Sequence, residues 1–327
     1  MYSLTPTTTS ALAIDVAEVA EQITSAIRDI VFRRLGRKGI VLGLSGGIDS
    51  SVVAALCVRA VGPKRVVGLL MPETESAQES LLLGQLLAWT LGIQAITEDI
   101  SAILEAAGCY RRRDAVISRM LPAYGPGWTC KIVLADVLRG APYQVSYLVV
   151  RSPDGVEQRL RFAADAYRAI VAANNFKQRA RKMMEYYHAD RLKFAVAGTP
   201  NRLEHDQGFF VKRGDGDADL KPIAHLYKTQ VYQLAEYLNI PEEIRRRTPT
   251  TDTYSEPQSQ EEFFFALPYD KMDLCVWGRN NNVFADDLGR MAAISSEVVA
   301  RAYQMIDAKR KAAAYLHEAP LFVEPLD

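Results

Sequence analysis

The chain has 327 residues, 49% of them apolar and 24% charged, which is ordinary for a soluble globular protein and long enough for a sizeable core. Lysine plus arginine equals aspartate plus glutamate at 39 each, so no net field draws it to nucleic acid or to a membrane surface. Four scattered cysteines (Cys57, Cys109, Cys130 and Cys275) contain no CxxC pair, and no apolar run reaches membrane-spanning length, which argues against a zinc knuckle, a disulfide framework or a transmembrane protein and makes the cytoplasm the expected setting.

Residues 1–12, rich in Thr and Ser, read as a flexible tail ahead of one domain spanning 13–327. Apolar residues at helical spacing (Val16, Val19, Ile23, Ile27, Ile30, Val31) predict a helix over 13–35. A buried strand follows at 40–44, then a Ser/Gly loop, a helix over 50–61, a strand at 66–71, a helix over 76–91 and a strand at 94–98. Alternation of this kind predicts an α/β fold, a doubly wound parallel sheet with helices on both faces. Residues 108–165 break the pattern and read as an insertion. It holds a basic cluster at Arg111, Arg112 and Arg113, a turn-rich stretch at 122–128 and a β-hairpin, 143–151 with 156–162, around Ser152-Pro153-Asp154-Gly155. A helix over 175–187 and a strand at 194–197 resume the α/β core. The last third reads as helical, over 228–238, 261–276 and 297–316.

The loop Gly43-Leu44-Ser45-Gly46-Gly47-Ile48-Asp49-Ser50-Ser51 joins the first strand to a helix. Two adjacent glycines let the backbone approach an anion and turn successive N–H groups toward it, and the helix N-terminus adds partial positive charge. Ser45 and Ser50 supply hydroxyl donors. Asp49 would repel a phosphate unless a magnesium ion stood between them. The loop lacks the Gly-Lys-Ser/Thr of a Walker motif and the spacing of a dinucleotide fingerprint. Ser-Gly-Gly-Ile-Asp-Ser resembles the SGGxDS signature of the PP-loop (adenine nucleotide alpha hydrolase-like) superfamily, whose members cleave ATP between the α and β phosphates while adenylating a substrate.

Downstream the chain reads Asn175-Phe176-Lys177-Gln178-Arg179-Ala180-Arg181, then Gly198-Thr199-Pro200-Asn201-Arg202-Leu203-Glu204. A Gly/Asp-rich stretch with Lys212 and Asp219 follows, then Tyr227-Lys228-Thr229 and Pro249-Thr250. In this run and order it is similar to the ammonia-dependent NAD synthetases over nearly all its length outside 108–165. The resemblance implies that Gly43, Leu44, Ser45, Gly46, Gly47, Ile48, Asp49, Ser50, Thr199, Lys228 and Thr250 contact ATP. It implies that Asp49 and Glu204 bind Mg²⁺, that Arg179, Lys212, Asp219 and Lys309 contact deamido-NAD, and that Asp49 and Lys228 carry the catalysis. The residue chemistry agrees. Thr199 and Glu204 follow a buried strand, where open α/β sheets place ligands, and a compact ammonium at Lys228 suits a departing pyrophosphate. Arg179 and Arg181 cannot share one helix face with Lys177, and the resemblance selects Arg179 for the acyl substrate.

The implied reaction adenylates the nicotinate carboxylate of deamido-NAD and transfers ammonia to it, giving NAD, AMP and pyrophosphate. The resemblance also implies a homodimer, and with no glutaminase-like region ahead of residue 35, free ammonia or a separate ammonia-supplying partner. The chain departs from the family in three places. The insertion is long, Ala308-Lys309-Arg310 replaces a His-Lys-Arg, and Phe263 to Phe265 intrude before Tyr269-Asp270. All three fall away from the ATP loop, which keeps open a relative acting on a different carboxylic acid. A tRNA-modifying or sulfur-transferring enzyme finds no basic surplus or CxxC here. A nucleotide sensor would bind ATP without forming AMP.

Overall fold

In the computed structural model, which describes residues 10–134, 146–250, 254–256, 264 and 267–324, the strands are β1 (Ile40–Gly43), β2 (Val66–Leu70), β3 (Gln94–Thr97), β4 (Thr129–Leu134), β5 (Ser146–Arg151), β6 (Glu157–Arg161) and β7 (Ala195–Val196). The helices are α1 (Val16–Arg28), α2 (Ile48–Val61), α3 (Gln78–Leu91), α4 (Ser101–Ala107), α5 (Cys109–Met120), α6 (Ala164–Leu192), α7 (Arg202–Gln207), α8 (Lys228–Tyr237), α9 (Glu242–Arg246), α10 (Tyr269–Asn280), α11 (Ala285–Ala292) and α12 (Ser296–His317).

Strands β3-β2-β1-β7 form one parallel sheet in that order. Alternate side chains of β1 explain why it reads as an unbroken apolar run. Ile40 and Leu42 pack with α1, α2, α3 and α8, whereas Val41 faces Tyr186 and Ala189 of α6 on the other side. The fold is thus the doubly wound α/β sheet expected. The chain leaves β1 first toward β2 and β3, then returns through α6 to β7 on the opposite flank. That reversal places a switch point at the carboxyl ends of β1 and β7, where sheets of this type open a crevice for ligands.

Helix α6 runs 29 residues, far beyond the predicted 175–187. Its early turns (Tyr167, Ile170, Val171) pack with β4, β5, β6 and α5, and its last turns pack under the parallel sheet. Strands β4-β5-β6 form an antiparallel sheet that contains the expected hairpin plus a third strand. The basic cluster of the insertion is helical. Arg111, Arg112 and Arg113 lie on α5, with Arg113 buried against Glu75 at 2.8 Å. That ion pair hides a helix behind a polar sequence.

The expected tail over 1–12 meets the described residues only at its end. Residues 1–9 lie outside the described residues, but Leu12 is buried, and its carbonyl accepts hydrogen bonds from Gln230 and Gln233 of α8 at 3.3 and 3.1 Å. Of the helix expected at 261–276, residues 261–263, 265 and 266 lie outside the described residues, and 269–276 fall in α10, which begins at Tyr269 and runs on to Asn280. Helices α10, α11 and α12 share a core with Leu203 and Tyr227. Among the described residues no helix is long and apolar enough to cross a membrane.

Candidate active site

A cavity of about 410 Å³ opens at the switch point, with Gly43, Leu44, Ser45, Asp49 and Ser50 on one wall and Thr199, Glu204 and Thr250 among the residues facing them. A smaller recess of about 80 Å³ adjoins it, bordered by Ser45, Gly47, Ile48, Asp49 and Thr250 together with Arg247.

The loop is built for close approach. No side chain caps the N-terminus of α2, so its first-turn amides are open to an anion. Ser45 and Ser50 share a hydroxyl contact at 3.1 Å, and Ser50 and Ser51 donate to the Gly47 carbonyl at 3.0 and 2.8 Å. Gly46 has φ +70°, and a Cβ there would lie 2.6 Å from the Ser80 carbonyl oxygen. Both facts demand glycine. Gly46→Ala is expected to displace the loop and cost on the order of 10²-fold in ATP turnover. Steady-state kinetics would show it, with an unchanged far-UV dichroism spectrum excluding global unfolding.

Behind the loop stands a buried charge cluster. The Lys228 ammonium, at the start of α8 and fully buried, pairs with Oδ2 of Asp49. Asn201 Nδ2 donates to Oδ1 of the same carboxylate at 3.0 Å. Asn201 is also the N-cap of α7, its Oδ1 accepting from the Leu203 and Glu204 amides at 2.9 and 3.2 Å, while Glu204 Oε2 accepts from the Asn201 amide at 3.1 Å. This reciprocal capping box fixes Glu204. Burial, together with the charge of Asp49, holds the Glu204 carboxyl well above its ordinary range. Burial alone would depress Lys228, but Asp49 and Glu204 outweigh it and raise its ammonium above the usual lysine value. Two carboxylates therefore surround one ammonium, and the cluster carries an excess negative charge whenever Glu204 is ionised.

The long helix supplies the far wall. Gln178, Arg181, Lys182 and Glu185 all line the cavity, at the i, i+3, i+4, i+7 spacing of one helix face. Lys182 and Glu185 pair at 2.5 Å, and Arg181 Nε lies 3.5 Å from the Met71 carbonyl oxygen. Farther along, Lys177 bridges Glu73 and Glu75 at 2.9 and 2.6 Å, tying α6 to the segment after β2.

The residues expected to meet the acyl substrate lie elsewhere. Arg179 is exposed and donates to the Lys212 carbonyl at 3.4 Å. Lys212 donates to the Tyr315 and Glu318 carbonyls at the end of α12, at 2.7 and 3.0 Å. Asp219 accepts from the Val196 amide at 2.8 Å. Lys309 is buried against the ring and carbonyl of Phe264. None of these four borders the cavity in the single chain, and the helix residue that does is Arg181 rather than Arg179. Sequence reasoning passed over Asn201, Lys182, Glu185 and Arg247. For Asn201 the signal was present, since Asn followed three residues later by Glu is a capping-box spacing.

A family model described as NAD synthase matches residues 19–116 and 153–313. The chain is 59% identical over 316 residues to the NH(3)-dependent NAD(+) synthetase of Rhizobium meliloti (strain 1021), covering 97% of this chain and 94% of that protein. It superimposes on an NMN synthetase structure from Francisella tularensis (TM-score 0.63, 22% identity, 94% of this chain and 98% of that one). It also superimposes on an NH3-dependent NAD synthetase structure from Campylobacter jejuni (TM-score 0.62, 22% identity, 95% of this chain and all of that one).

Proposed function

The chain belongs to the NAD synthase family, and from that premise we propose that it converts deamido-NAD, ATP and ammonia to NAD, AMP and pyrophosphate. The observation that carries this reading is the cluster of Asp49, Asn201, Glu204 and Lys228 beside an uncapped, glycine-turned helix N-terminus at the switch point.

The open amides of α2 and the hydroxyls of Ser45 and Ser50 bind the triphosphate. The nicotinate carboxylate oxygen then bonds to the α-phosphorus while the bond from that phosphorus to the bridging oxygen breaks, and pyrophosphate leaves. Ammonia next bonds to the acyl carbon, AMP departs with the electron pair of the acyl–oxygen bond, and the nitrogen gives up a proton. No side-chain nucleophile is required; the chain's task is alignment and charge neutralisation. Lys228, held cationic by its carboxylate neighbours, borders neither cavity and acts through Asp49, whose carboxylate it holds in place at the cavity wall and whose charge it balances.

Magnesium fits the residues present. Asp49 and Glu204 are two carboxylates held about one buried ammonium at the cavity wall, and Mg²⁺ takes one or two carboxylates plus phosphate oxygens and water. Among the described residues no group of three or more potential metal-ligating side chains gathers, so a metal here would lean on the nucleotide for its remaining ligands. When bound, Mg²⁺ would neutralise the phosphates and polarise the α-phosphoryl group. Chelation with EDTA is expected to abolish AMP formation, and added Mg²⁺ to restore it.

We further propose that Arg179, Lys212, Asp219 and Lys309 act on deamido-NAD within a homodimer. Arg179, Met183 and Tyr187 recur every four residues along α6 and are all exposed, a stripe that suits a second copy of the chain. Free ammonia, or ammonia from a separate supplier, is the proposed nitrogen source, and the cytoplasm the proposed site of action.

The deciding experiment incubates the protein with ATP, Mg²⁺, ammonium and deamido-NAD and quantifies products by mass spectrometry. Equal amounts of NAD and AMP are expected. A parallel arm with nicotinate mononucleotide tests the smaller acid. ATP that remains unconsumed with both acids would overturn the reading.

A further inference from the structure

We propose that Arg247 binds the β- and γ-phosphoryl groups of ATP and retains the pyrophosphate after adenylation, in the small recess that adjoins the main cavity at Ser45, Asp49 and Thr250. This rests on the adenylating role proposed above and assigns a residue that the loop signature does not contain.

The recess is bordered by Ser45, Gly47 and Asp49 on one side and by Arg247, Thr248 and Thr250 on the other. It shares Ser45, Asp49 and Thr250 with the larger cavity, so a chain of phosphates anchored at the loop has a continuous polar path into it. Its volume of about 80 Å³ is several times the ~10–15 Å³ that one water needs, and far below that of the main cavity, so it suits a small polyanion and not a nucleoside.

Charge points the same way. The first turn of α2, a 14-residue helix, presents amides without a side-chain cap. Arg247 reaches the loop from beyond α9, its side chain only 10% exposed. Nη2 donates to Ser80 Oγ at 2.8 Å and Nη1 to the Gly46 carbonyl at 3.4 Å. Its carboxylate contact, Glu79, is 3.5 Å away and 68% exposed, so solvent screens that pair and leaves most of the guanidinium charge for an anion. The single carboxylate bordering the recess, Asp49, is already matched by Lys228 and Asn201. A planar guanidinium beside open amides is the arrangement that grips phosphate bidentately. Lys228 sits behind Asp49, away from the recess lining, so the two cations divide the work. Lys228 answers charge near the carboxylate cluster, and Arg247 answers charge at the distal phosphates.

The test titrates Mg-pyrophosphate and AMP separately into the full-length protein by calorimetry, for the wild type, Arg247→Ala and Arg247→Gln. Glutamine retains a donor for Ser80 and Gly46 without the charge. Pyrophosphate affinity is expected to fall about 10- to 100-fold in both variants, the loss of a charged hydrogen-bonding partner. AMP affinity is expected to stay within about twofold, because AMP lacks the groups that Arg247 holds. Unchanged pyrophosphate binding overturns the proposal, and so does a parallel loss of AMP binding in Arg247→Gln, which would make the side chain a brace for the loop. If the alanine variant fails to fold, the glutamine variant alone decides. Wild-type protein that binds neither Mg-pyrophosphate nor AMP refutes the adenylating role itself, an outcome distinct from failure of the arginine assignment.

Discussion

Asp49→Asn is expected to yield a folded protein whose conversion of ATP to AMP is slower by on the order of 10³-fold, about 4 kcal/mol of lost transition-state stabilisation. The amide keeps the size of the side chain and its contact with Asn201, but removes the charge that pairs with Lys228. A buried, unpaired ammonium would ordinarily be costly. Here Glu204 stands ready: its raised carboxyl reflects burial first and repulsion from Asp49 second, and Lys228 already attracts it. Removing Asp49's charge lowers the Glu204 pKa, so Glu204 ionises and becomes the partner of Lys228. Stability should therefore fall far less than activity. Quenched-flow measurement of AMP beside a thermal melt separates the two quantities, and a variant of near-normal rate would remove Asp49 from the chemistry.

Lys228→Met should have the opposite balance, with a large loss of stability as well as of turnover. The methionine fills the space, but Asp49 and Glu204 then face each other with no cation between them. Removing one partner of a buried ion pair costs about 3–5 kcal/mol, which corresponds to a fall in melting temperature on the order of 5–10 °C. The defect should deepen as pH rises. Glu204 has its folded pKa above the 4.5 of a free glutamate, so near neutrality the folded chain holds a proton that the unfolded chain has released. Stability contributed by that proton is complete below pH 4.5 and is lost as pH climbs toward the folded value. Without Lys228 the folded value rises further and the loss extends over a wider range. Melts at pH 5.5 and pH 8 should differ more for the variant than for the wild type; equal shifts at the two pH values would contradict the cluster as described.

The parallel sheet was legible because β1 and β2 are buried on both faces and read as apolar runs between helices of clear period. The loop after β1 and its place at the cavity wall were legible because its glycines, serines and acid stand in a fixed order between a buried strand and a helix. Helix α5 was not, because Arg113 enters the interior with a carboxylate partner supplied by a distant segment, and hydrophobic periodicity carries no trace of such a pair. Helix α6 was read too short, since its early turns pack on a sheet that the sequence presented as an insertion. Arginine 179 and Arg181 illustrate a finer limit. Both are basic and two residues apart, and only the rotational phase of α6 decides which of them borders the cavity. Arg247 was hidden in a run of three arginines, of which Arg246 is exposed and Arg245 donates to the Ile240 carbonyl, so nothing local singles out the third.

The continuity of α6 bears on how this protein can diversify. A helix of 29 residues, roughly 43 Å long at 1.5 Å per residue, serves as spine to the antiparallel sheet at one end and to the parallel sheet at the other. Loss of 129–161 would strip Tyr167, Ile170 and Val171 of their cover in the same event. A lineage gaining or shedding that sheet must rewrite the opening turns of the helix together with it, so the two should be inherited as one unit.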